Sequence, residues 1–352
     1  MSRNGRPELL VALLLGATAA VAATPPKPLP VKEGSIPRAA DGHADLSGVW
    51  SNASVTKLTR LPGTKTLVIS EAEAKALGAN NPMVKGLDAD AERTNPNEGA
   101  PAVGNPGGYN SFWLDPGRTL GQVKGEFRTS WIVDAPDGQL PLSAAGKALA
   151  AKASAYLRAA DTPADPEALE PWDRCLISSR GSGGPGMLNN IYNSNYQIVQ
   201  TKRSVAIVIE MIHDARGVTI YPAKAAAQVA HGPAALHLWL GDSVGWWEGD
   251  TLVIETINVN GEQGRAGPIF LTPQGRVTER LTRVSAAQIF YEFRVEDAAY
   301  YTRPWRAEMS LEAIKDQLFE YACHEGNYAL PDIMSGARAD EAARRTKASG
   351  GQ

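Results

Sequence analysis

Through the C-terminal half of the chain, hydrophobic and polar positions alternate with a period of two. Over residues 288–296, Ile289, Tyr291, Phe293 and Val295 share one face, and Glu292, Arg294 and Glu296 share the other. Successive strand side chains point to opposite faces, so this pattern predicts a strand with one buried side. Trp305, Ala307, Met309 and Leu311 repeat it, and residues 318–322 predict one more short strand. Trp246 and Trp247 run into Glu248-Gly249-Asp250, and residues 251–257 return as the partner of a hairpin. Residues 205–212 are apolar on both faces, which predicts a strand buried on both sides. Leu236, Leu238 and Leu240 alternate with His237 and Trp239 as a further strand.

The N-terminal half reads differently. Ser70 followed by Glu73 forms a capping box for a short helix through Leu77. Residues 128–133 predict a strand ended by the turn Ala135-Pro136-Asp137-Gly138. Residues 143–160, rich in Ala, Lys and Leu, predict a helix with Ser143 as its N-cap. Residues 80–108 and 161–190 are dense in turn formers and predict long loops. Strands joined by short turns, without alternating helices, imply an antiparallel meander. A long meander protects its edges by closing into a barrel or folding into a sandwich. The expected fold is therefore mainly β, with a few short helices and long loops.

Charge and composition remove several function classes. The 352 residues carry 35 Lys plus Arg against 38 Asp plus Glu, a net charge of -3, so no basic surplus exists to neutralise nucleic acid. A hydrophobic content of 43% excludes disorder over most of the length. Arg3 and Arg6 precede an apolar run over residues 9–20, and Ala20-Val21-Ala22 supplies small residues for cleavage before Ala23. That is the pattern of a secretory signal peptide, and it implies a periplasmic or secreted product. The organisation expected is a signal peptide over 1–22, a Pro-rich arm over 23–44 and one β-rich domain over 45–334. A helical and loop insertion covers 135–190, and a polar tail, helical or disordered, covers 335–352. No second apolar stretch is long enough to span a bilayer, so no membrane span is expected after cleavage. Export makes Cys175 and Cys323 an expected disulfide. The rivals are two buried thiols or a reactive Cys323 beside His324.

Residues 45–50, 109–116, 193–201, 240–256, 291–305 and 321–328 resemble a family of exported bacterial β-rich proteins. The most specific segment is Trp247-Glu248-Gly249-Asp250-Thr251-Leu252-Val253. The resemblance implies a shared fold and export, and it carries over no catalytic residue. The entry strand Gly48-Val49-Trp50 ahead of a meander is similar to lipocalin-like barrels.

Nucleotide loops, zinc-protease helices and nucleophile elbows have no counterpart in the sequence, so no cofactor is expected. The glycine-rich residues 181–186 contain Pro185, which lacks a donor, and no helix follows to bind phosphate. Alternation around His213 puts Glu210, Ile212 and Asp214 on one face and Met211 and His213 on the other. Charged groups then crowd one mouth of the barrel. The functional reading has His213 as general base and Arg216 holding an anion or oxyanion, and Asp214 and His237 complete the expected catalytic set. The structural reading is a salt-bridged strand end. His213, His231 and His237 match no metal-ligand spacing, and no metal is expected. Trp and Tyr suit flat ligands, and Asn110, Trp113, Tyr192 and Trp239 are the expected ligand contacts.

These features favour an exported, cofactor-independent enzyme (a lyase, isomerase or hydrolase) acting on a small organic or carbohydrate-like substrate. The alternative is a lipocalin-like carrier of an aromatic or apolar ligand, and a third reading is an envelope-assembly protein. An enzyme requires His213 inside the deepest pocket, a carrier requires a pocket lined by Trp and aliphatic residues with His213 exposed at a turn, and an assembly protein requires a filled barrel with no pocket. The oligomeric state is not legible in the sequence.

Overall fold

The computed structural model describes residues 36–91, 114–156, 164–178, 181–222, 230–263 and 267–349. The expected signal peptide, most of the Pro-rich arm, Asn110 and Trp113 lie outside the described residues. The first strand is β1 (Gly48–Ser51). Between it and the next barrel strand come β2 (Val68–Ile69), α1 (Glu71–Ala79), α2 (Pro82–Ala91), β3 (Gln122–Val123), β4 (Glu126–Arg128) and α3 (Ala144–Tyr156). The remaining strands are β5 (Asn195–Gln200), β6 (Ser204–Ile209), β7 (Ala215–Tyr221), β8 (Asp242–Glu248), β9 (Thr251–Ile257), β10 (Arg276–Arg283), β11 (Gln288–Glu296) and β12 (Trp305–Ile314). Helix α4 (Ala329–Ser349) follows, so the tail takes the helical form of the two expected. Among the described residues, no helix is long and apolar enough to cross a membrane.

Nine strands close into a barrel in the order β1-β12-β11-β10-β9-β8-β7-β6-β5, with β5 pairing back to β1. The mainly-β barrel expected from the alternation is therefore present. A ring of strictly alternating strands cannot close on an odd number, so one neighbouring pair must be parallel. That pair is β7 and β8, and it qualifies the all-antiparallel expectation. A parallel pair needs a connection longer than a hairpin turn, and β7 ends at Tyr221 whereas β8 starts at Asp242. The other neighbours are antiparallel, and β8 to β12 form the predicted meander.

Local sequence chemistry explains the well-formed elements. The β8–β9 hairpin closes with Glu248 opposite Thr251 around Gly249-Asp250, and Gly249 takes a φ of 61°. Ser70 and Glu73 form the reciprocal capping box of α1. The Ser143 side chain accepts from the Gly146 amide at 3.1 Å and caps α3. Along β11, Ile289, Tyr291, Phe293 and Val295 are fully buried, as are Trp305, Ala307, Met309 and Leu311 along β12. Phe293 meets the Trp305 ring edge-on at 5.8 Å between centroids.

Four predicted strands require correction. β6 stops at Ile209, and its outward side is only partly covered. Residues 236–240 form a loop whose pairing among the described residues is a lone bridge from Leu238 to Val259, which leaves Leu236 57% and Leu238 52% exposed and only Leu240 buried. Residues 318–322 make no strand. Of 128–133, only Arg128 belongs to a strand, and Ile132 makes a lone bridge to Ala307.

The arm before β1 covers one barrel end. Arg283 bonds the Asp45 and Ala286 carbonyls and lies over the Trp50 ring, 4.9 Å from its centroid. Arg38 pairs with Asp250, and His43 stacks on Trp247 at 4.6 Å. The opposite end is bounded by the starts of β5, β7, β8, β10 and β12, and it holds the polar cluster described next.

Candidate functional site

Inward strand positions are apolar nearly everywhere, with a cluster of exceptions at this second end. Arg216 takes the register of Val218 and Ile220 in β7, and Glu279 takes that of Val277 and Leu281 in β10. Both point into the barrel. Their side chains are 1% and 0% exposed and pair through two bonds of 2.6 and 2.9 Å. Tyr291 donates to Glu279, and the Gly186 amide donates to the same carboxylate oxygen at 3.3 Å. Burial opposes the charged form of Arg216, but Glu279 more than offsets it and raises the guanidinium above its usual range. Burial and the Glu279 charge also push the Tyr291 hydroxyl well above the usual phenol range. Tyr196 is raised as well, mainly by burial. One buried donor of the cluster, Arg216 Nε, has no acceptor among the described residues. An unmet buried donor beside a satisfied ion pair is costly, and it marks where a ligand acceptor would gain most.

The glycine-rich segment plugs the barrel end above this cluster. The Tyr196 hydroxyl donates to the carbonyls of Ser182 and Leu188 at 3.1 and 3.3 Å. The Met187 amide donates to the Tyr291 hydroxyl at 2.9 Å, and Asn52 Nδ2 donates to the Met187 carbonyl at 3.1 Å. Gln263 donates to the Gly184 carbonyl at 2.8 Å. These side chains seat a loop that has no strand partner. Glycine is required by contact as well as by conformation. A Cβ on Gly184, with φ 77°, would meet Arg216 Nη1 at 3.0 Å, and one on Gly186, with φ 78°, would meet Ile269 at 2.8 Å. The glycine run that resembles a phosphate loop in sequence is thus a lid resting on a guanidinium.

His213 does not face the interior. After β6 the chain enters a 3-10 turn, Met211–His213, in which Ile212 and His213 adopt φ values of 60° and 52°. The turn breaks the period of two, so the predicted faces for Glu210, Ile212, Asp214, Met211 and His213 do not hold. His213 is exposed, and its Nε2 accepts from the Tyr321 amide at 3.2 Å. Glu210 accepts from the Phe319 amide at 3.0 Å and from Asn195 at 2.7 Å. Tyr192 stacks on Tyr321 at 6.3 Å. Together these groups pin residues 317–323 as a strap across the barrel end. Cys323, at the end of the strap, forms the expected disulfide with Cys175, ahead of the plug, with Cα atoms 6.0 Å apart. Cys175, Asn193, Ile212 and His213 all have positive φ, a conformation that costs non-glycine residues roughly 1–2 kcal/mol each.

Asp214 stands between turn and plug. Its Oδ2 accepts from the Ser178 amide at 2.7 Å. Burial raises its carboxyl above the usual range, and the Ser178 bonds offset this in part. Of the expected catalytic set, Asp214 and Arg216 both contact the plug: a Cβ on Gly183 would lie 3.1 Å from Asp214 Oδ2. His237 is separate and exposed, 2.6 Å from Asn258 Oδ1, and Trp239 packs partly buried against the core. His231 lies between Asp242 and Glu255 at 3.1 and 3.4 Å. The three histidines have different partners, and no metal-binding cluster occurs among the described residues. A groove of about 360 Å³ lies apart from the plug, lined in part by Arg60, Lys65, Asp134 and Pro136.

Glu279, Tyr196 and the plug's role escape a sequence reading. The available signal was a charged residue in apolar register, which Glu279 shows between Val277 and Leu281. No family model matches this chain, and neither curated proteins nor solved structures give a match.

Proposed function

We propose that this chain is an exported, lipocalin-like carrier that binds a small aromatic or apolar molecule bearing a hydrogen-bond acceptor. The carrying observation is the inward Arg216–Glu279 pair with tyrosine hydroxyls and an unmet Arg216 donor, beneath a loop seated by side chains rather than by a strand ladder. Such a cluster supplies the few polar groups that orient a ligand in an otherwise apolar barrel. His213, exposed at a turn, fits a carrier better than an enzyme built on that histidine. The disulfide fits export.

Aromatic carboxylates and phenols are the probes of choice. Titration into the mature protein, followed by Trp fluorescence and thermal shift, is expected to show saturable binding. The double variant Arg216→Met/Glu279→Leu removes the pair without stranding a charge, and binding should be lost. Equal binding by both proteins would place the seat elsewhere. One observation favours a second reading, proton-transfer catalysis, with Asp214 rather than His213 as base: its carboxyl is raised by burial beside the plug. Turnover abolished by Asp214→Asn but kept by His213→Ala would favour it.

A further inference from the structure

We propose that the Cys175–Cys323 disulfide is a redox latch on the plug, so that reduction opens the barrel end locally without unfolding the barrel. The proposal concerns regulation of the seat described above and rests on reading residues 181–190 as its lid. The bond joins the two segments that close this end: the chain entering the plug at Cys175 and the strap ending at Cys323. Apart from the bond, the Phe319 and Tyr321 amides tie the strap to Glu210 and His213, and the Tyr321 side chain stacks on and hydrogen-bonds with Tyr192 and packs against the core. Neither segment belongs to the barrel ladder. Both cysteines are half-buried, so a small dithiol can reach them. Four non-glycine residues of positive φ, namely Cys175, Asn193, Ile212 and His213, lie in or beside the plug, the strap and the turn that pins it. Strained backbone persists only where its surroundings enforce it, so removing a covalent constraint favours relaxation here rather than in the barrel wall.

The chemistry requires a dithiol reductant. One of its thiolates attacks Sγ of Cys323, the protein S–S bond breaks, and Cys175 leaves as a thiolate that takes a proton. The second thiolate of the reductant then displaces Cys323 and closes the reductant's own disulfide. Two electrons have passed to the protein, which now carries two thiols.

Hydrogen exchange with peptide-level mass spectrometry, on mature protein with and without dithiothreitol, tests the latch. The Cys175→Ser/Cys323→Ser variant serves as a second route to the open form. Exchange over 181–190 and 317–323 should accelerate on the order of tenfold, at exchange times over which residues 276–296, which open only with the whole fold, stay protected in both forms. Unchanged exchange in the plug and strap would overturn the latch. So would equal acceleration throughout the barrel, which would make the bond a global staple. No ligand enters this readout. Absence of ligand binding in both redox forms would therefore overturn the seat and leave the latch standing.

Discussion

The meander of β10 to β12 and the plugged barrel end solve the same problem, burial of backbone, by opposite means. In the meander every strand has ladder partners on both sides, and alternate side chains interlock in a dry layer around Phe293 and Trp305. At the plugged end the loop backbone has few backbone partners, and side chains supply them: Tyr196, Tyr291, Asn52, Gln263 and Glu279. Ladder bonds are generic and tolerate many sequences. Side-chain seating is specific, because each lost group strands a buried partner. The difference marks the plugged end as the part able to move while the meander stays intact.

The largest effect should separate the two regions by how each can be rescued. Arg216→Met leaves Glu279 buried without its countercharge and should cost about 3–5 kcal/mol. Adding Glu279→Leu should recover most of that loss, measured by urea unfolding. Phe293→Ala in the meander should cost a similar amount, about 3–5 kcal/mol, with no such rescue, because its loss is a cavity. Failure of Glu279→Leu to rescue would mean the pair does more than neutralise itself.

Next in size is the disulfide. Its removal frees the unfolded chain, and Cys175→Ser/Cys323→Ser should lose roughly 2–5 kcal/mol. A smaller loss, about 1–3 kcal/mol, is expected for Tyr291→Phe, which takes a donor from Glu279 and an acceptor from the Met187 amide. Exchange at the Met187 amide should rise in that variant, and an unchanged rate would show that the bond does not seat the plug.

The smallest effect is a pH dependence. Burial raises the Asp214 carboxyl, so the folded state holds this proton more tightly than the unfolded chain does. Its stabilisation is full below the ordinary aspartate value of 3.8 and is lost as pH rises through the raised folded value. Glu312 is raised by burial in the same sense from 4.5. Asp214→Asn keeps an acceptor for Ser178 and removes the titration. The Tm of wild type relative to this variant should therefore fall as pH rises from about 4. A flat difference would refute the assignment.

Legibility followed the same division. The faces of β11, the β8–β9 hairpin and the α1 capping box were readable because each depends on residues close in sequence. Alternation misplaces His213 because β6 ends at Ile209 and the chain then turns through Ile212 at positive φ. Arg216 was found for its charge, but its partner Glu279 is 63 residues away in sequence.

By itself, the amino-acid sequence determined the period-two strands, the capped helices and a Cys pair suited to an oxidising compartment, because local sterics and hydrophobic periodicity act over a few residues. Tertiary structure alone decided that nine strands close through one parallel pair, that Arg216 meets Glu279 inside, and that a glycine run becomes a plug. Those outcomes depend on barrel closure, which brings distant residues into one low-dielectric interior where an unpaired charge or a stray Cβ cannot be accommodated.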